Sequence, residues 1–328
     1  MTNKIRTAIL GMGVMGKRRR DAISRHGGFE LVGTCDVVPG YDFTDWKECI
    51  DKTNPDAVFV CTINSVIPDI VCYAIEQGIH VFSEKPPGRN LADTLRMEDA
   101  YNTGNSILKF GFNHRYHNSI IEAKTLINSK LLGGVVCVRG IYGKAGNVDF
   151  TKEWRNNPEL SGGGILLDQG IHMLDLMCWF LGDLTVEHGN VDRLVWRNMP
   201  TEDSAFAVLK TQDGKIASLH SSAIQWKHKF DMDIIFTDGY IALNGLLTGT
   251  RSYGEERITY YHKDLEIKDG KLGNPLEHTL CFDSDNSWDY ETAEFFDAVR
   301  NGKPLVNGTI ADAKRVMTLV ESIYEQSR

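Results

Sequence analysis

The chain has 328 residues, of which 42% are hydrophobic and 24% charged, with a formal net charge of −8. That length suits two domains of roughly 100–200 residues each, and the composition is that of an ordinary soluble globular protein. Diffuse acidity argues against nucleic-acid and anionic-membrane partners, and no apolar run is expected to reach the ~18 residues of a membrane span.

The N-terminal KIRTAILG reads as a strand. Its basic residues and apolar run lead into KRRR rather than a small-residue cleavage site, so a signal peptide is not expected. The strand leads directly into Gly11-Met12-Gly13-Val14-Met15-Gly16, which opens the helix MGKRRRDAISRHG. This is GxGxxG in the setting that gives it meaning. The first glycine allows the tight turn, the second admits a pyrophosphate to the backbone, and the third lets helix pack on strand. Phosphates then lie at the helix N-terminus. Val14 and Met15 complete this candidate cofactor turn. Asp36 follows Gly16 by twenty residues, at the end of the next strand, where an acid accepts hydrogen bonds from ribose hydroxyls and repels a 2′-phosphate. It points to NAD(H) over NADP(H). The run from Lys17 to Arg20 reads as a solvated helix face.

FELVGTCD, DAVFVCTI, HVFSEK and SILKFGFNHR read as further strands, with PDIVCYAIEQG and LADTLRMEDAYNTG as helices between them. Strands alternating with helices predict parallel βαβ units with right-handed crossovers, a Rossmann domain over residues 1–119. The rhythm then changes. VVCVRGIYGK, LTVEHGNVDRLVW, SAFAVLKT, KIASLHSSAIQW, FDMDIIFT, GYIALNG and RITYYH read as strands, with a hairpin turning at Asp213-Gly214. SWDYETAEFFDAVRNG and TIADAKRVMTLVESIYEQ close the chain as helices. The expected class is α/β, with a second, α+β domain over residues 120–328 built on a large, mostly antiparallel open sheet. Alternation in SAFAVLKT and KIASLHSSAIQW leaves one sheet face needing cover, which predicts a homodimer or homotetramer. The seven cysteines, Cys35, Cys49, Cys61, Cys72, Cys137, Cys178 and Cys281, contain no CxxC pair. That scatter suggests a reducing, cytoplasmic compartment.

Residues 160–182, LSGGGILLDQGIHMLDLMCWFLG, predict a helix over 165–181. Asp168 and His172 are four apart, hence one turn apart on one helical face, with Asp175 near that face. Apolar neighbours shield the trio, so an ionised carboxylate there needs a partner. A capped helix with a wet or internally paired polar stripe is the plain reading, and Asp-x3-His also offers two metal ligands. The leading glycines are expected to let substrate or cofactor approach.

Glu84-Lys85-Pro86 at the end of HVFSEK, GFNHRYH at 111–117, GGGILLDQGIHMLD at 162–175 and the N-terminal glycine motif occur in one order along nearly the whole chain. Together they resemble the glucose–fructose oxidoreductase / inositol dehydrogenase (Gfo/Idh/MocA) family. The resemblance implies a dinucleotide-binding domain followed by a domain with a large open sheet, redox chemistry on sugars, cyclitols and related polyols, and self-association. It places the catalytic lysine at Lys85 and the paired acid and histidine at Asp168 and His172. It also implies NAD contacts from the loop Cys61, Thr62, Asn64 and from Glu84 and Lys85. Ile63 and Ile67 stand where members often carry a proline and a histidine.

These residues suit hydride transfer coupled to proton movement on a carbinol oxygen. His172 is fitted to acid–base work near neutral pH, Lys85 to stabilising an alkoxide, and Asp168 to orienting substrate or compensating charge. Asp175, a turn deeper, is expected to be structural. Substrate contacts are sought at Asn113, Arg115, Trp154 and Arg155, besides Asp168 and His172, with Tyr142 and Trp226 as aromatic faces. No metal is expected. The expectation is an NAD(P)-dependent dehydrogenase or reductase, using NAD, that acts on a secondary hydroxyl or ketone of a sugar, cyclitol or nucleotide-sugar. An NAD-dependent glycoside hydrolase and a non-catalytic dinucleotide sensor are the alternatives.

Overall fold

The computed structural model describes residues 4–146, 153–263 and 276–328. Along the chain, β1 (Ile5–Leu10), α1 (Val14–His26), β2 (Phe29–Cys35), α2 (Trp46–Thr53), β3 (Ala57–Val60), α3 (Ile67–Glu76), β4 (His80–Glu84), α4 (Leu91–Thr103) and β5 (Leu108–Gly111) alternate as the pattern predicts. Asp45 opens α2 by accepting the Glu48 amide at 2.8 Å, and Asn90 opens α4 by accepting the Asp93 amide at 2.9 Å, each satisfying an amide the first turn leaves unpaired. A 3₁₀ turn, Asn113–Tyr116, follows β5. Then come α5 (Asn118–Ser129), β6 (Val135–Ala145), a short α6 (Pro158–Ser161) and α7 (Ile171–Leu181). Strands β7 (Thr185–Asp192), β8 (Ser204–Lys210), β9 (Ile216–Ser222), β10 (Ile224–Phe236), β11 (Gly239–Asn244), β12 (Glu256–His262) and β13 (His278–Phe282) precede α8 (Ser287–Asn301) and α9 (Ile310–Gln326).

The chain forms two compact units that are not contiguous in sequence. The first runs to Asn113 and adds Asn157–Gly163 and Asn286–Glu321; the second holds His114–Asn156, Gly164–Asp285 and Ser322–Arg328. The expected division at 119/120 is contiguous and leaves α8 out of the first unit, where the structure has it.

The first unit is built on a five-stranded sheet in the order β2-β1-β3-β4-β5, parallel throughout. Its strands are near-continuous apolar runs, as sheets covered on both faces require. Ile9, Phe59 and Phe82 on the strands pack with Ile23 of α1 and Phe295 of α8. The second unit is built on an eight-stranded sheet in the order β13-β12-β11-β10-β6-β9-β8-β7. It is antiparallel except where β6 and β9 run parallel. Gly140 of β6 makes room for Met173 of α7, whose sulfur would lie 2.7 Å from a Cβ there.

Several expectations are corrected. The strand expected over 106–115 stops at Gly111, and that expected over 56–63 stops at Val60. The run expected as one strand over 215–226 breaks at Ala223, and β10 begins at Ile224 and continues through the segment expected as a separate strand. α2, α5 and β13 were not anticipated. The stretch Pro158–Leu181 is long and apolar enough to cross a membrane, contrary to expectation, but 83% of its most apolar window is buried in the fold. The expected regular helix over 165–181 starts with a π turn at Leu166–Gly170, closed by the Ile171 amide on the Leu166 carbonyl.

Candidate functional site

In the first unit, Gly11 turns the chain at φ 93° and packs its α-carbon on the next strand end, where a Cβ would meet the Cys61 carbonyl oxygen at 2.5 Å. A Cβ at Gly16 would lie 1.9 Å from the Gly11 carbonyl oxygen, so helix packs on strand only without a side chain. At Gly13 a Cβ would meet nothing within 4 Å. Gly13 is also the N-cap of α1 and provides no side-chain cap. Val14, 66% exposed, and half-buried Met15 follow. Open space before an uncapped helix start, with the positive end of the helix dipole behind it, fits a pyrophosphate.

Asp36 lies just past the end of β2. Its Oδ2 accepts the Met12 amide at 2.6 Å and its Oδ1 the Val38 amide at 3.0 Å. A carboxylate has about four lone-pair sites, so two remain for ribose hydroxyls. The residues present therefore fit NAD.

The other expected cofactor contacts are partly corrected. Asn64 is buried and its amide donates to the Ser161 carbonyl at 2.7 Å, so it ties α6 to its unit. Cys61 offers its backbone beneath Gly11, and the Thr62 hydroxyl lies 3.5 Å from the Ile63 carbonyl. The Glu84 carboxylate is buried and ion-paired. Arg19 Nε donates to it at 2.6 Å, and Arg19 Nη2 donates to Glu291 of α8 at 2.6 Å. Arg19 is fully buried between the rings of Phe82 and Trp288, which corrects the solvated reading for this residue, while Lys17 and Arg20 of the same run are exposed. Lys85 follows β4 and is half-buried.

In the second unit, His172 on α7 is buried and its ring stacks on that of His114, centroids 3.8 Å apart and planes 22° apart. His114 Nε2 lies 3.0 Å from the Tyr142 hydroxyl, and burial pushes that phenol well above its ordinary pKa, so it stays neutral. Asp168 sits in the π turn, so the regular α spacing to His172 does not hold. Both still face β6, because Tyr142 and Lys144 are two apart on one strand face. Lys144 Nζ donates to Asp168 Oδ2, and Arg155 Nε lies 3.4 Å from Oδ1. Arg155 is packed over Trp154, 4.6 Å from the ring centroid. Tyr253, from the segment between β11 and β12, donates to Gln169 at 3.3 Å and packs against His228 of β10. Burial holds His228 below its ordinary pKa, with the Lys144 charge adding to the effect.

Glu202 anchors the start of this segment. Its carboxylate accepts the amides of Gly164 and Leu166, each at 3.0 Å or less, and the Tyr324 hydroxyl at 2.8 Å. Two of the three glycines make room for protein backbone. A Cβ at Gly164 would lie 2.3 Å from the Glu202 carbonyl oxygen, and one at Gly162, at φ 85°, would lie 2.2 Å from the Arg89 carbonyl oxygen. Protein backbone approaches Gly162 and Gly164.

Arg115 is corrected as a substrate contact. It is 2% exposed and donates to Asp175 through Nε at 2.8 Å and Nη2 at 2.6 Å, so Asp175 is structural as expected. Asn113 is buried where the 3₁₀ turn begins. Trp226 is 65% exposed at φ 56°, in a bulge of β10. Sequence reasoning missed Lys144, Glu202, His228 and Tyr253. For Lys144 a signal existed: alternation from Gly140 through Tyr142 places it on the inward face, where a lysine needs a reason.

Residues 5–112 match the oxidoreductase family with an NAD-binding Rossmann fold, and residues 120–242 match the GFO/IDH/MocA C-terminal domain. Inositol 2-dehydrogenase of Salmonella typhimurium (strain LT2) is 25% identical over 197 residues, covering 55% of this chain and 55% of that protein, so the match spans about half of each. D-glucoside 3-dehydrogenase of Escherichia coli (strain K12) is 27% identical over 268 residues, covering 72% of this chain and 75% of that protein. A levoglucosan dehydrogenase structure in complex with NADH superposes with TM-score 0.84 at 19% identity, covering 99% of this chain and 97% of that one. At that identity the likeness speaks to the fold.

Proposed function

This chain belongs to the Gfo/Idh/MocA oxidoreductase family, and from that premise we propose that it is an NAD-dependent dehydrogenase or ketoreductase acting on a secondary hydroxyl of a sugar, cyclitol or nucleotide-sugar. The observation that carries the reading is the glycine turn: open space at Gly13, an uncapped α1 and a carboxylate at Asp36 that keeps lone pairs for a ribose. NAD, when bound, supplies the acceptor for the carbinol hydride, and NADH the donor in reverse. Gly11, Gly13, Gly16 and Asp36 are the residues that would hold it.

The chain's own residues do the rest. His172 takes the hydroxyl proton as the carbinol carbon is oxidised to a ketone and returns it in the reverse direction. Its stack on His114 and the packing around it fix the ring plane. We assign Lys85, just past β4, the role of stabilising the developing alkoxide. Asp168, held by Lys144, balances cationic charge and orients substrate hydroxyls. The exposed face of the large sheet carries Phe206, Val208, Ile216 and Ile235, which supports a homo-oligomer joined through it.

The experiment is a panel of sugars, cyclitols and nucleotide-sugars with NAD⁺, read as NADH absorbance, on the unaltered chain and on Lys85→Ala and His172→Ala. Turnover is expected with at least one secondary alcohol, and each variant lowers kcat about 10²–10⁴-fold with NAD binding retained. If these residues only stabilise their elements, melting falls and the folded fraction keeps near-normal kcat. Release of a sugar without net NADH formation points to redox-assisted hydrolysis instead.

A further inference from the structure

The chain carries a net charge of −8, yet positive charge gathers around Asp168. Lys144 is 19% exposed and bonded to Oδ2; Arg155 is 40% exposed with Nε beside Oδ1. Lys144, at hydrogen-bond range, already meets this carboxylate. Arg155, standing 3.4 Å away, is then a second cation on a charge already met. Its guanidinium rests on the Trp154 face, which sets the plane of the fork. Its terminal nitrogens make no hydrogen bond to another described residue. A planar fork, backed by an aromatic ring and open at its end, matches carboxylate or phosphate oxygens in pairs. A neutral polyol offers nothing to balance this second charge in a half-shielded setting, whereas an anionic substituent does.

We propose that the substrate is a sugar bearing an anionic group, a carboxylate or a phosphate, read by Arg155. The proposal rests on the sugar-oxidoreductase reading for the ring and on this charge arrangement for the substituent.

The test titrates the full chain loaded with NADH by calorimetry, using glucose and galactose against glucuronate, galacturonate and the two 6-phosphates. At least one anion is expected to bind about 10-fold or more tightly than its neutral parent, with the advantage shrinking as salt is added. Arg155→Gln removes most of it. Arg155→Lys, which keeps charge without the fork, restores only part. Preference among uronates or among phosphates identifies which oxygen group is read. The proposal is overturned if no anion outbinds its parent, or if the advantage survives Arg155→Gln undiminished. NADH formation from the same sugars is followed separately. Anion binding with no NADH from any sugar defeats the dehydrogenase reading and leaves the anion site standing. Oxidation of neutral sugars with no anion advantage does the reverse.

Discussion

The Asp36 carboxylate accepts the Met12 amide at 2.6 Å, so the acid at the end of β2 also braces the glycine turn. A single residue thus links turn geometry to the charge a 2′-phosphate would meet. We predict that NAD(H) binds more tightly than NADP(H). Asp36→Ser should narrow the gap by about 10-fold or more, since it removes a repulsive element. Asp36→Asn keeps an acceptor for Met12 while removing the charge, and should narrow the gap with less loss of NAD(H) affinity. Fluorescence titration of both cofactors decides it; tighter NADP(H) binding by the unaltered chain would sink the prediction.

Arg115 and Asp175 form a two-bond ion pair with both side chains almost fully buried. Breaking such a pair from one side leaves a buried charge. Arg115→Met should therefore destabilise by about 3–5 kcal/mol, a large part of the about 5–15 kcal/mol of a typical domain. The double variant Arg115→Met with Asp175→Leu should recover much of that loss. Denaturant unfolding of the three proteins measures it. A substrate-binding role for Arg115 predicts the opposite pattern, raised KM with stability unchanged.

Glu256 shows how pH should act on the second unit. Burial alone would raise its carboxyl. The hydrogen bond and charge of His117, 2.7 Å away, and the amides of Ser119 and Leu247 more than offset this and hold it below the ordinary value. The unfolded chain therefore binds this proton more readily. The stability Glu256 contributes is fully present above the unfolded value of about 4.3 and drains away as pH falls through the lower folded value. Unfolding of Glu256→Gln should show weaker stability near neutrality and a flatter decline in acid than the unaltered chain. Parallel acid profiles for the two proteins would remove Glu256 from the acid response.

Val208 and Ile216 lie on the same face of β8 and β9, since Ile216 pairs with Lys210, two residues along from Val208. Phe206 shares that face, and each of the three is 40% exposed or more. Light scattering at micromolar concentration should give a dimer or tetramer mass. Val208→Asp with Ile216→Lys should shift it to monomer with little change in the fold. A monomeric mass for the unaltered chain would refute the assembly.

The order of residues made plain the part of this molecule that depends on local rules. Periodicity, cap residues and a glycine spacing act over a few neighbours, so the βαβ alternation, the turn at Gly11–Gly16 and the acid at Asp36 were legible from the order of residues. Even α2, which was passed over, carries its signal in Asp45 and Glu48, an acid three residues before another at a helix start. Tertiary structure alone decided which charges meet. Arg19 lies in a basic run that reads as solvated, and its partners Glu84 and Glu291 are 65 and 272 residues away. The Lys144–Asp168 pair joins a strand to a π turn, and the extra residue in that turn is invisible to a pattern that counts in fours. The glycines near 162 read as room for a ligand, yet the backbones that need the room, at Arg89 and Glu202, come from far along the chain. Burial and pairing are properties of the packed whole, because a charge enters the interior only where a distant residue arrives to meet it.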